Sequence, residues 1–147
     1  MTALAYRELV IEAFRATLQA IPGISRVYRN RTRAVSAWPA IVIYEAGQGA
    51  PIQSTGETRY RLEVEVECHV AGGSDEELGP AASELYARVL EATQADPSLG
   101  GLCSDVEEGE MSPLDPANAE GSAPAASFTV SFILDFATQA GRPRLGA

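Results

Sequence analysis

From Arg59 to Val70 the chain alternates without a break. Tyr60, Leu62, Val64, Val66, Cys68 and Val70 interleave with Arg59, Arg61, Glu63, Glu65, Glu67 and His69. Successive side chains on a strand point to opposite faces, so only a strand gathers all six apolar groups on one side. A helix would scatter them around its circumference. The fold must therefore contain a sheet with one face turned to a core and the other charged. Gly72-Gly73 ends this strand.

The other segments supply what covers the apolar face. Between Leu4 and Ile21, apolar residues at Leu9, Val10, Ala13, Phe14, Thr17, Leu18 and Ile21 keep the three-and-four spacing of an amphipathic helix, which Pro22-Gly23 stops. A short strand is expected near 24–29, followed by the basic stretch Arg26, Arg29, Arg31 and Arg33. The run Trp38-Pro39-Ala40-Ile41-Val42-Ile43-Tyr44 reads as a strand buried on both faces, with Pro39 tolerable only near its start. Three glycines and Pro51 make 46–57 a loop or long hairpin tip. Ser74 and Glu77 form a capping-box pattern for a second helix, but Pro80 moves its expected start to that residue. Its apolar stripe is Ala81, Leu85, Val89, Ala92 and Tyr86, up to Asp96-Pro97. A short strand is expected at 102–106, an acidic mobile excursion at 105–124, a last alternating strand at 128–137 and a loose tail at 139–147. These elements describe an α+β fold: one mixed or antiparallel sheet of four to five strands, with two helices packed on one face.

At 147 residues the chain is long enough for one domain with a sizeable core and needs no disulfide or metal staple. No apolar run approaches the length of a membrane span. Glu8 and Glu12 inside the first apolar stretch, without a basic segment before it, argue against a cleaved secretion signal. Cys68 and Cys103 lie far apart, outside any ligand spacing, and read as small buried hydrophobes in a reducing compartment. All eleven basic residues are arginine, against twenty acids, for a net charge of −9. That balance argues against sequence-independent nucleic-acid binding, which requires a basic surface. The charge is also uneven: residues 1–61 carry +4 and residues 62–147 carry −13. Either a positive surface meets a negative one between copies, or the fold interleaves the halves and mixes the signs in space.

Catalytic chemistry finds little support. His69 is the sole histidine, and it shares a strand face with Glu65 and Glu67, which makes a thin constellation for a metal. Cys68 points to the opposite face from His69, and no G-x-S-x-G elbow occurs. Gly72-Gly73-Ser74 leads into a helix, but the acids after it would repel a phosphate, and the lysine of a P-loop is missing. The Glu63, Glu65 and Glu67 row repels itself unless arginines face it. It is either a solvated face or a docking surface for Arg26, Arg29, Arg31 and Arg33 of a neighbouring copy. No catalytic, cofactor or metal residues are assigned.

The segment Ala95-Asp96-Pro97-Ser98-Leu99-Gly100-Gly101-Leu102-Cys103 is a helix end, a tight turn and a strand start. It resembles the tail terminator proteins of long-tailed bacteriophages, of the minor tail protein U type. Phe132-Ile133-Leu134-Asp135-Phe136-Ala137-Thr138 is similar to that family's aromatic-x-x-x-aromatic-x-Thr ending, and Trp38–Tyr44 to its proline-led second strand. The likeness spans about residues 8–138; the absence of lysine is a departure from it. It implies a noncatalytic virion protein, assembled in the host cytoplasm, that forms a sixfold ring on the head-proximal end of the tail tube. The ring would stop tube polymerisation and present a surface for head–tail joining. Its partners would be other copies of itself, the tube protein and the connector or neck proteins, with no sequence-specific nucleic acid and no membrane. The family carries no fixed catalytic residue. Two other readings stand beside it: another neck component, such as a tail-completion or head–tail joining protein, or a small metal- or ligand-binding enzyme domain using His69, Glu65 and Glu67.

Overall fold

The computed structural model describes residues 4–117 and 124–144. In chain order the elements are α1 (Tyr6–Gln19), β1 (Arg26–Arg29), β2 (Ala40–Gln48), β3 (Ile52–Ser54), β4 (Glu57–Ala71), α2 (Asp75–Ala95), β5 (Asp105–Met111), β6 (Asp115–Ala117) and β7 (Ala125–Gln139). The class is α+β, as expected, with a sheet of seven strands rather than four to five. The main order is β1-β2-β4-β7-β5; β3 pairs with β4, and β6 with β7. Only β1 and β2 run parallel.

The alternating segment is one of two central fifteen-residue strands. β4 and β7 pair antiparallel along their whole length, from Glu57 opposite Gln139 to Ala71 opposite Ala125. This register sets Leu62 against Leu134, Val64 against Phe132, Val66 against Val130 and Cys68 against Phe128, all buried. Both helices cover that face. Val10, Ile11, Phe14 and Leu18 of α1 are buried there, and the Phe14 ring lies 5.6 Å from that of Phe132. α2 contributes Leu78, Ala82, Leu85, Val89 and Thr93. Among the described residues, no buried side-chain nitrogen or oxygen lacks a hydrogen-bond partner.

α2 begins at Asp75, before Pro80. The proline lies on the exposed side of the second turn and costs the helix one backbone bond, while buried Leu78 and Ala82 on either side hold the segment to the sheet. Ser74 makes no side-chain cap; instead Glu77 Oε2 accepts the Gly73 N–H at 2.6 Å. Three acids in the first turn suit the positive end of the helix.

The stretch 105–124 is largely strand. β5 and β6 both pair with β7, and residues 118–123 of that expected excursion lie outside the described residues. Residues 46–57 form a hairpin built from the end of β2, β3 and the start of β4. The expected loose tail is docked as far as Arg144. Gln139 still belongs to β7, and the Pro143 carbonyl accepts the Tyr6 N–H at 2.7 Å. Ala5 makes no side-chain cap for α1, so the returning chain satisfies one of that helix's unpaired N–H groups. Residues 145–147 lie outside the described range.

Truncating Phe132→Ala removes the ring on which α1 rests. We expect a loss of about 3–5 kcal/mol in urea unfolding, with an unchanged dependence on denaturant. A loss under about 1 kcal/mol would mean that the helix–sheet contact is not the centre of the core.

Candidate functional site

Two arginines that look alike in sequence go to opposite sides of the sheet. In β1 only Val27 is buried; it faces the helices with Arg29, while Arg26 and Tyr28 face outward. Arg29 is taken up within its own chain. Its guanidinium bonds Glu8 at 2.5 and 3.0 Å, Glu12 at 3.2 Å and both oxygens of Glu45 at 3.1 Å. Arg7 joins Glu45 at 2.8 Å. The Arg29 hydrogen bonds hold the Glu45 carboxyl down to about 2, with Asn30 and Arg7 assisting, and lower Glu8 in the same way. Arg29 is thus an internal clamp between α1, β1 and β2.

The outward residues build a different surface. No helix lies over it. β2 sets Ala40, Val42 and Tyr44 opposite His69, Glu67 and Glu65, and β7 sets Ser127, Thr129 and Ser131 on their other side. Residues 31–34 lie over the β1–β2 side of this face. The Tyr44 hydroxyl donates to the Arg31 carbonyl at 2.8 Å, and the Arg31 guanidinium stacks 4.0 Å from the Tyr28 ring centre. That cover explains why Ala40 to Ile43 are buried on both faces, as the apolar run predicts. Arg26 stacks on the same tyrosine at 5.2 Å. Arg31 also donates to the carbonyls of Arg33 and Ala34, and the exposed Arg33 guanidinium has no hydrogen bond or ion pair among the described residues.

The acidic row divides into two parts. Glu67 Oε1 lies 2.6 Å from His69 Nε2. Exposed Glu63 and Glu65 have neither ion pair nor hydrogen bond among the described residues. Farther along, Arg59 and Arg61 are neutralised at home. Asp135 accepts from Arg59 at 2.6 Å and from Arg61 at 3.2 Å, and Glu107 takes Arg61 at 2.6 and 3.2 Å. The halves of opposite charge therefore do interleave: arginines of the first segment meet acids of the second across β4, β7 and β5.

The resemblance-bearing segment is a compact turn. The Asp96 carboxylate accepts from Ser98 N (3.1 Å), Ser98 Oγ (2.5 Å) and Gly100 N (2.9 Å), which lowers its own proton affinity, the Ser98 hydroxyl contributing most. Leu99 is buried, and Gly100 and Gly101 have φ of +72° and +94°, a region glycine enters without strain. The Asp, Leu and paired glycines each have a local structural reason.

For the enzyme reading the geometry offers little. Among the described residues no group of three His, Cys, Asp or Glu side chains is placed to hold a metal ion. Burial pushes the Cys68 and Cys103 thiols up to about 12, so neither is a ready nucleophile. An open groove of about 740 Å³ between the helices, lined by Thr17, Ile21, Pro22, Glu84, Arg88 and Glu91, contains neither histidine nor cysteine. No described helix is long and apolar enough to cross a membrane. Compared with known proteins, the chain matches no family model and no curated protein sequence.

Removing the clamp with Arg29→Gln leaves three carboxylates facing one another. We expect a loss of about 2 kcal/mol near neutral pH, less than for a fully buried pair because Glu8 and Glu12 are partly solvated. Glu45 titrates at about 2 when folded and at about 4.3 when unfolded. The unfolded chain therefore binds more protons between those values, and stability falls as pH drops through that window. The gap between wild type and variant should narrow from pH 7 toward about pH 2–3. A constant gap in urea titrations across that range would remove Arg29 as the cause.

Proposed function

We propose that this chain is a noncatalytic subunit of a bacteriophage tail, a terminator that joins other copies in a ring on the head-proximal end of the tail tube. In this reading the ring stops tube polymerisation and receives the head–tail connector, and its place is the virion neck. The observation that carries the reading is the one-sided covering of the sheet. Both helices lie on one face, and the other face of two fifteen-residue strands is left as a mostly polar surface on which Glu63 and Glu65 have no ion pair among the described residues. Such a face suits a subunit that packs against other protein. The likeness of 95–103, 132–138 and 38–44 to tail terminators supplies the kind of assembly. The hairpin at 46–57, with Ile52 exposed at 58%, is a second projecting feature suited to contact with a neighbour.

Electron microscopy of particles assembled without this gene tests the reading. Over-long or length-variable tubes lacking heads are expected. Tails of normal length that fail to join heads would move the chain to a joining protein of the neck. Normal virions would remove it from tail assembly altogether.

A further inference from the structure

Sequence patterning suggests that the arginine segment of one copy meets the acidic row of the next around a ring, but the geometry assigns the two groups differently. Arg26 and the segment bearing Arg31 and Arg33 lie on the same sheet face as Glu63 and Glu65, with β2 between them. Across the strands that separation is two spacings, about 10 Å, and along them Glu65 lies four residues, about 13 Å, from the His69 level at which Arg26 sits. In a head-to-tail ring each subunit has neighbours on two different sides, so its complementary patches must point in different directions. Patches that share one direction are met by a single facing partner. Turning a second copy about a two-fold axis parallel to the sheet and just above its outer face, crossing β2 obliquely between the two patches, puts its acids over the first copy's arginines and its arginines over the first copy's acids.

We propose that the outer sheet face docks a second copy of this chain face to face, with Arg26, Arg31 and Arg33 of each copy over Glu63 and Glu65 of the other. The charges involved are those left over after intrachain pairing. Among the described residues the side chains of Glu63, Glu65 and Arg33 have neither ion pair nor hydrogen bond, Arg26 meets the Tyr28 ring, and Arg31 is held by that ring and by the Arg33 and Ala34 carbonyls with no acid paired to it. Arg29, Arg59 and Arg61, already paired at home, take no part. The patch from β1 to β7 covers roughly 600 Å² per copy, so the pair would bury near the lower limit for a specific interface. The dimer is therefore weak and strongly salt-dependent. This contact does not depend on the tail assignment, and the particle phenotype above does not report on it.

Sedimentation velocity of the purified chain tests it. The expected species at low salt is twice the 15.5 kDa chain mass. It should dissociate at about 1 M salt, where the screening length falls to about 3 Å. The exposed double variants Glu63→Arg with Glu65→Arg, and Arg26→Glu with Arg33→Glu, should each stay folded by circular dichroism and be monomeric. Mixing the two should restore a two-chain species, and Glu65→Gln alone should weaken association several-fold. A chain that is monomeric at every concentration and salt would overturn the proposal. So would an assembly of any size indifferent to both variants. A ring of more than two chains that the variants dissolve would replace the two-fold contact by a head-to-tail one.

Discussion

The register between β4 and β7 is the constraint on which the rest of the structure depends. Fifteen consecutive residue pairs put Leu62, Val64, Val66, Cys68 and Val70 with Ala126, Phe128, Val130, Phe132, Leu134 and Phe136 on one face, and nearly every polar side chain, together with Ile133, on the other. A slip of one residue would turn Leu62, Val64, Val66 and Cys68 to solvent and the glutamates to the core, so the pairing is sharply specified. The helices follow from it. Each has an apolar stripe that must be buried, and β4 and β7 present the largest apolar surface to bury it against. The aromatic stack of Tyr6, Phe136 and Tyr60, with centroids 5.8 and 5.3 Å apart, ties the start of α1 to the far end of both strands.

What was legible in the sequence is what repeats. The alternation in 59–70 and 128–137, the helical spacing in α1 and the apolar run at 40–44 all carry periods that report their own environment. β5 and β6 carry none. Asp105–Met111 holds one buried apolar residue, Val106, and owes its strand form to backbone pairing with β7, which lies some two dozen residues on and supplies the pattern β5 lacks. The docked tail was hidden for a similar reason. Its anchor is a carbonyl of Pro143 meeting an amide of Tyr6, and backbone groups leave no trace in composition. Pro80 misplaced a helix start because buried neighbours outweighed one lost hydrogen bond.

The candidate surface was legible in part. Alternation alone put Glu63, Glu65 and Glu67 on one face, but the partners of each arginine depend on contacts between distant segments. Arg26 and Arg29 are three residues apart in one basic stretch, and strand geometry turns them to opposite sides. One ends over an outward tyrosine; the other is enclosed by carboxylates from α1 and β2. Uneven charge along a chain therefore says little about uneven charge on its surface until the pairing of strands is known.

The edges of the sheet limit how copies can meet. Sheet extension from one copy to another needs unpaired backbone groups on an edge strand. On β1, Gln19 Oε1 accepts the Val27 N–H at 2.9 Å and Arg15 Nε donates to the Val27 carbonyl at 3.1 Å. On β5, Gln94 Nε2 donates to the Val106 carbonyl at 3.1 Å and the Asp105 carboxylate accepts the Val106 N–H at 2.9 Å. Helix side chains thus reach the backbone of the β1 and β5 edges, the short strands β3 and β6 forming the other edges, and β5 adds Glu108 and Glu110 as mutual repellents toward any identical strand. These features disfavour continuing the sheet through β1 or β5. In the assembly proposed above, contacts between copies fall to the face that the helices do not cover and to the hairpin at 46–57. Contacts through side chains and a projecting arm can close at a fixed number of copies, whereas open strand edges would let the sheet grow without limit.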